Sequence, residues 1–104
     1  MDELFVEKVG PTEFKLAGDL DLARAGDLEA FFERELPESG DVTFDLEEVQ
    51  FVDSAAIGVF ARVARALEGK GRLILVSPTR AVRLALDTVQ LDIRYNIEVR
   101  DGAE

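Results

Sequence analysis

Residues 41–46 read Asp-Val-Thr-Phe-Asp-Leu, with polar and apolar side chains in alternation. A period of two is typical of a β-strand that buries mainly one face. Farther along, apolar residues recur at helical spacing up to a stop at Gly69, namely Ile57, Phe60, Ala61, Ala64 and Leu67. The pattern therefore predicts a strand followed by a helix, which is the repeating unit of an α/β sheet.

The residues before this unit predict two more strands and a helix. Short apolar runs at 4–9 and 13–16 flank a Gly-Pro turn, which indicates an antiparallel pair of strands that ends at Gly18. A helix is then predicted, with Asp19 or Asp21 able to cap its start and Pro37 closing it. Its apolar stripe consists of Leu22, Ala25, Leu28, Phe32 and Leu36.

The residues after it complete the pattern. The continuous apolar run within 72–76 is expected of a central strand covered on both faces. Ser77 and Pro78 predict an N-cap and a first helical position, opening a third helix to about Thr88, and a last strand is expected within 94–99. The order β-β-α-β-α-β-α-β predicts a mostly parallel, mixed sheet with an N-terminal hairpin and right-handed crossover helices.

The composition limits the possible chemistry. A chain of 104 residues suits a single domain over 1–104, with its core at about 4–99. It contains no histidine and no cysteine, which excludes imidazole or thiolate metal sites and Ser–His or Cys–His nucleophile pairs. Any chemistry of this chain must therefore use hydroxyls, carboxylates, lysine, arginine or another protein.

The net charge of −10 is unevenly distributed. Residues 1–53 hold 16 acidic and 4 basic side chains, whereas residues 54–100 hold 4 acidic and 8 basic ones. Such an acidic chain is a poor ligand for nucleic acid, whose phosphates would repel it. Four arginines of the second part allow two interpretations, a local positive strip or an ordinary solvated face. They are Arg62, Arg65, Arg80 and Arg83.

The location in the cell is also constrained. Asp2 and Glu3 make the start of the chain acidic where a secretory signal would be basic. No apolar run approaches the roughly 20 residues that span a bilayer. The expected location is the cytoplasm, without membrane insertion.

Residues 51–58, Phe-Val-Asp-Ser-Ala-Ala-Ile-Gly, form the strongest candidate site, between a strand and the second helix. Ser54 is expected at or just before the first helical turn, where unpaired N–H groups and the helix dipole stabilise an added phosphate. The small Ala55, Ala56 and Gly58 should leave its hydroxyl accessible. The alternative is that Asp53 or Ser54 serves only as an N-cap.

A second acidic segment is expected at the same edge of the sheet. Residues 18–21, Gly-Asp-Leu-Asp, come directly before the first helix, and the carboxyl ends of parallel strands share one edge. Asp19, Asp21 and Asp53 are therefore expected near Ser54. These carboxylates could bind Mg²⁺ or cap helices. Residues 69–71 do not form a phosphate-binding loop, since they follow a helix and lack its sequence frame.

Residues 44–58 resemble the signature of STAS domains, specifically of bacterial anti-sigma factor antagonists. That signature is a strand ending Asp-Leu, a short loop, and then Asp-Ser-small-Gly-Leu/Ile-Gly. Residues 18–21 match the family's Gly-acid-Leu-Asp turn, and residues 73–84 resemble its strand-Ser-Pro-x-x-x-Arg-x-Leu segment. The resemblance covers about 4–99 and implies a STAS-like α/β domain.

Two departures from the family pattern accompany the resemblance. Ala56 stands at the usual glycine position and is expected to enlarge slightly the surface presented to a kinase. The chain ends at Glu104, where many relatives continue into a final helix, so either this is a shorter member or a part is missing.

The resemblance implies a partner-switching protein that is not an enzyme and that carries no cofactor and no metal. In such families an anti-sigma factor that is also an ATP-dependent serine kinase phosphorylates the serine after the aspartate, here Ser54. The unphosphorylated antagonist binds the anti-sigma factor and frees the sigma factor, and a separate serine phosphatase reverses the modification. The implied partner-binding residues are Asp19, Asp21, Asp53, Ser54, Ala55, Ala56 and Ile57.

Two alternatives remain at this point. One is a STAS subunit that binds a transporter ATPase in a lipid-transport system, using the same helix end without phosphorylation. The other is a small acidic ligand-binding domain or a receiver-like phosphoacceptor. A receiver typically needs a lysine at a later strand end, and the sequence contains no lysine after Lys70.

Overall fold

The computed structural model describes residues 5–102. Five strands form one sheet in the order β1-β2-β3-β4-β5, in which β1 and β2 are antiparallel and the other neighbours are parallel. This confirms the predicted mixed α/β fold. The elements are β1 Val6–Gly10, β2 Glu13–Leu20, α1 Leu22–Glu35, β3 Val42–Val52, α2 Ser54–Ala66, β4 Leu73–Val76, α3 Arg80–Thr88, α4 Leu91–Arg94 and β5 Ile97–Arg100. Residue 4, at the predicted start of the first strand, lies outside the described residues.

Strands β2 and β3 extend beyond their predicted ends. Between Lys15–Asp45 and the next paired position, Ala17–Glu48, β3 contains one residue more than β2, and a second shift follows Gly18. Gly18 has a positive φ of 82° inside β2, so it supports an irregularity of the strand and does not end it. The predictions that β2 ends at Gly18 and that 47–52 is a loop are wrong, because bulges break the period of two.

The core lies on one face of the sheet, against the helices. Phe14 and Phe44 alternate with polar residues on adjacent strands and are almost completely buried. Phe32 of α1 stacks on Phe44 with ring centroids 4.6 Å apart, and the Phe14 ring meets both edge-on. Such aromatic pairs add about 0.5–1.5 kcal/mol each beyond burial. This cluster fixes α1 over β2 and β3, and so fixes where α1 begins.

The opposite face of the sheet carries ion pairs. Lys15 lies 3.2 Å from Glu48, and the hydrogen bond between them raises the pKa of Lys15. On β5, Glu98 accepts hydrogen bonds from Arg72 and Arg100, and the bond from Arg100 is the main cause of a lowered pKa for Glu98. The same contact raises the pKa of Arg100.

The helix boundaries correct two further predictions and add one helix. Leu22, assigned to the apolar stripe of α1, is 76% exposed at its first position. The cap of α3 is Thr79 and not Ser77, whose positive φ of 57° places it in a turn after β4. The short helix α4 was not predicted; it follows Gln90, which also has a positive φ.

The longest described helix is α1, with 14 residues. Within residues 5–102, none of the helices combines the length and the apolar character that crossing a membrane requires.

Candidate functional site

The ends of β2 and β3 bring the two candidate segments together. Asp19 pairs with Phe51 and Leu20 with Val52 across the parallel strands. The N–H of Asp53 donates to the carbonyl of Leu20 at 3.2 Å. The starts of α1 and α2 are therefore neighbours at the carboxyl edge of the sheet, although 31 residues separate Leu22 from Asp53.

Asp53 caps both helices with one carboxylate. Its Oδ1 accepts hydrogen bonds from the amides of Ala55 and Ala56 at 2.9 and 3.1 Å, in the usual manner of an N-cap. Its Oδ2 accepts from the amide of Leu22, the first residue of α1, at 3.0 Å. The negative charge also lies at the positive ends of two helix dipoles. Asp53 therefore links the two helix starts, beyond the single cap that the sequence suggested.

Asp21 and Asp19 do not cap α1 with their side chains. Asp21 has the extended backbone of an N-cap residue, yet its side chain makes no capping hydrogen bond. Its Oδ1 is buried and has no hydrogen-bond partner among the described residues. The side chain of Asp19 is exposed. The prediction that one of these two caps α1 is wrong, since Asp53 takes that role from the neighbouring strand.

Ser54 is the first residue of α2, and it is exposed. Ala55 and Ile57 on either side of the turn are half-buried. Ala56 is completely buried, so the expectation that its methyl group enlarges the surface is wrong. The arrangement presents a serine hydroxyl at a helix start, next to the carboxylate that caps the amides of the first turn.

Two large apolar side chains in the segments that form this edge of the sheet are exposed, which was not predicted. Leu22 is 76% exposed, and Phe51 is 50% exposed beside Asp19. Large apolar side chains on a surface are typical of contact sites when they lie together with polar ones. The sequence offered one indication of this exposure, since both residues lie directly next to the acidic segments. Leu22 was instead assigned to the core and Phe51 to a loop.

The carboxylates of the site do not form a metal centre. In the part of the chain that the structure describes, no three acidic side chains converge in a way that could hold a metal ion. Both oxygens of Asp53 already accept hydrogen bonds from amides. Of the two possibilities that the sequence left open for these carboxylates, the geometry supports helix capping, by Asp53.

The arginines after Ser54 are mostly engaged within the fold. Arg62 binds Glu29 of α1 through two hydrogen bonds of 2.8 and 3.2 Å. Arg83 pairs with Asp87 at 3.3 Å and with Asp101 at 2.6 Å. These pairs favour the solvated, ion-paired face over a positive strip.

A groove of about 610 Å³ lies between α1 and α2, apart from the site. Buried Phe32, Val59 and Val63 contribute to its lining, and charged residues of both signs also line it. None of the seven predicted site residues is among its lining residues.

Known structures with the same fold include regulators of sigma factors. A putative anti-sigma factor antagonist of Thermotoga maritima, TM1081, matches 92% of this chain and 84% of its own with a TM-score of 0.73 and 20% identity. The NMR structure of TM1081 gives the same score and identity over 98% and 84% of the two chains. The anti-sigma factor antagonist SpoIIAA, in its unphosphorylated form, matches 90% and 84% with a TM-score of 0.69 and 20% identity.

At this level of identity the structural matches establish the fold. The activity has to be inferred from the geometry of the site. Among curated protein sequences, none matches the chain significantly. The family model of the STAS domain matches residues 5–99, which contain β1 to β4, all of β5 except its last residue, and the whole candidate site. The chain belongs to the STAS domain family.

Proposed function

We propose that this protein is an anti-sigma factor antagonist that acts by partner switching. The unphosphorylated form binds an anti-sigma factor with serine kinase activity and so releases a sigma factor. Phosphorylation of Ser54 ends the binding, and a serine phosphatase restores it. The observation that carries the proposal is the exposed Ser54 at the first position of α2, next to Asp53, within a STAS fold.

The chemistry of the site supports a switch by added charge. A phosphate on Ser54 adds about −1.5 to −2 charges and can be held by the start of α2. The same charge lies next to Asp53, whose carboxylate links α2 to the start of α1 directly after the acidic residues 19–21. Repulsion and steric hindrance at this surface then end partner binding while the domain remains folded.

In this scheme the protein is a substrate and a ligand, and the partners carry out the catalysis. The kinase transfers phosphate from ATP and the phosphatase hydrolyses the phosphoserine. The chain supplies the hydroxyl of Ser54 and a surface formed by Asp19, Asp21, Ala55, Ile57 and the exposed Leu22 and Phe51. Because the kinase uses ATP and controls a sigma factor, we place the protein in the cytoplasm.

The geometry disfavours a receiver-like mechanism. A receiver uses an aspartate oxygen as the nucleophile, but both oxygens of Asp53 accept helix amides at 2.9–3.1 Å. An attack through either oxygen would uncap a helix. The transporter-ATPase alternative uses the same surface and differs in one respect, since it requires no phosphate on Ser54.

The test is the binding of Ser54 variants. Wild type, Ser54→Ala and Ser54→Asp proteins are used for affinity purification, followed by mass spectrometry of partners and of phosphate on Ser54. The recovered kinase is then titrated against each variant. We expect Ser54→Ala to bind it as wild type does and Ser54→Asp to bind about tenfold more weakly, which corresponds to roughly 1.4 kcal/mol.

The matched control is Ser39→Asp. It adds the same charge at an exposed serine just before β3, at the other end of an 11-residue strand. This control should bind the kinase as wild type does. Equal affinities of wild type, Ser54→Ala and Ser54→Asp would contradict the proposal. Recovery of a transporter ATPase with unmodified Ser54 would support the alternative instead.

A further inference from the structure

Helix α1 depends on a distant residue for the cap at its start. The amide of Leu22 donates to Asp53, 31 positions away in the sequence. The local candidate, Asp21, makes no capping hydrogen bond, although its backbone is extended (φ −125°, ψ −176°) as an N-cap requires. One of its carboxylate oxygens is buried without a hydrogen-bond partner among the described residues. Leaving a buried acceptor unpaired is costly, so this arrangement needs a reason.

Asp53 is also the residue next to the modified hydroxyl. Its other oxygen holds the amides of Ala55 and Ala56, in the turn that Ser54 begins. A charge placed on Ser54 therefore acts first on a carboxylate that bonds to both helices. Any movement of that carboxylate changes the hydrogen bond to Leu22 at the start of α1.

We propose that Asp53 is a positioning residue that transmits the phosphorylation state of Ser54 to the start of α1. This inference rests on the proposed phosphorylation of Ser54. The phosphate repels the carboxylate of Asp53 and competes with it for the amides of the first turn of α2. The hydrogen bond from Leu22 to Asp53 weakens as a result.

Asp21 supplies the second state of this device. Asp21 is the N-cap residue of α1 and has an unused buried oxygen. In the second state its side chain accepts an amide of the first turn, as N-cap side chains usually do. Helix α1 thus has two alternative caps, a distant one in the unphosphorylated protein and a local one in the phosphorylated protein. Exposed Leu22 lies where the two states differ.

The experiment measures solvent exchange of single amides by NMR in the isolated protein, without any partner. The amide of Leu22 should exchange about fivefold faster in Asp53→Ala than in wild type, as expected for the loss of one hydrogen bond. In Ser54→Asp it should exchange about twofold to fivefold faster. In the double variant, Ser54→Asp should add no further change. The amide of Val82, capped by Thr79 on α3, is the internal control and should not respond.

A cap with a purely structural role would not link Ser54 to Leu22 in this way. If Ser54→Asp changes the exchange of Leu22 equally with and without Asp53, or does not change it at all, the proposal is overturned. If Asp53→Ala does not fold, Asp53→Asn replaces it. Asparagine has a single side-chain oxygen to accept amides, where Asp53 uses one oxygen for each helix. On its own, Asp21→Ala should leave amide exchange at the start of α1 as it is in wild type. Combined with Ser54→Asp, it should further speed that exchange.

This result is independent of the partner experiment. Loss of the kinase interaction in Ser54→Asp, together with an unchanged amide of Leu22, would leave partner switching intact and refute the coupling through Asp53. The opposite result is also informative. If Ser54→Asp changes the exchange of Leu22 through Asp53 but does not change partner binding, partner switching is refuted and the link between the helices stands.

Discussion

Glu98 shows how a single half-buried surface residue makes stability depend on pH. It lies on the edge strand β5 and accepts hydrogen bonds from Arg72 at 3.0 Å and Arg100 at 2.5 Å. The bond from Arg100 is the main cause of its lowered pKa. A carboxyl group with a lower pKa in the folded protein contributes stability above its ordinary pKa and loses it as the pH falls through the folded value. Solvent screening keeps the effect small on this open face.

We therefore expect Glu98→Gln to be less stable than wild type at pH 7, with a smaller difference at about pH 3, because the stabilising charge of Glu98 is lost as the pH falls below its ordinary pKa of 4.5. Urea unfolding at the two pH values measures the difference. Glu68→Gln, at an exposed position after α2, is the matched control for the change from glutamate to glutamine. A constant difference at both pH values would show that the effect of Glu98 does not come from its charge.

At the scale of secondary-structure elements, Thr79 joins a helix to the central strand. Its hydroxyl accepts the amide of Val82 in the first turn of α3 and donates to the carbonyl of Val49 in β3, both at 3.3 Å. The second bond falls in the part of β3 that extends past the end of β4. Thr79 thus holds α3 against the strand that leads to Ser54.

Thr79→Ala should destabilise the protein by about 1–2 kcal/mol, because it removes a helix cap and leaves a strand carbonyl without its donor. Thr79→Ser keeps the hydroxyl and should lose less than half of that. Chemical denaturation followed by circular dichroism provides the measurement. Ser77→Ala tests the cap expected from the sequence and should change stability by less than about 0.5 kcal/mol. A larger loss in Ser77→Ala than in Thr79→Ala would reverse the assignment.

The main elements could be predicted because each carries its own periodicity. The alternation at 41–46 and the apolar stripe of α2 are local patterns, and they gave the strand and the helix correctly. The extension of β3 to Val52 could not be predicted, since two register shifts against β2 disturb the alternation. The start of α3 was misplaced for a similar reason, because Thr79 is selected by its contact with Val49 on another element.

The position of Ser54 was easier to predict than the hydrogen bonds that connect the segments of the candidate site. The segment 51–58 placed Ser54 at the start of a helix, where the structure has it. The hydrogen bond between Asp53 and Leu22 could not be predicted from a local sequence pattern. It depends on the register between β2 and β3, which places Leu20 beside Val52. The exposure of Leu22 follows from the same register, and no periodicity in α1 distinguishes it from a core position.

On the scale of the whole molecule, repulsion among acidic side chains opposes folding. The net charge is −10, and residues 1–53 alone carry −12. The molecule measures 34 × 30 × 27 Å. At 10 mM ionic strength the screening length is about 30 Å, so every charge acts on nearly every other, whereas at 0.15 M it is about 8 Å and only neighbours interact.

Raising NaCl from 10 mM to 0.15 M should therefore stabilise the protein, because it screens the long-range repulsion more than the close ion pairs. We expect a rise in Tm of about 4 °C, equivalent to roughly 1 kcal/mol in a domain of this size. Thermal unfolding followed by circular dichroism measures it. A variant with Glu33→Gln and Glu38→Gln, both exposed, has a net charge of −10 + 2 = −8 and should show a smaller rise. A fall in Tm with added salt would instead mean that attractive pairs such as Arg62–Glu29 outweigh the excess of negative charge.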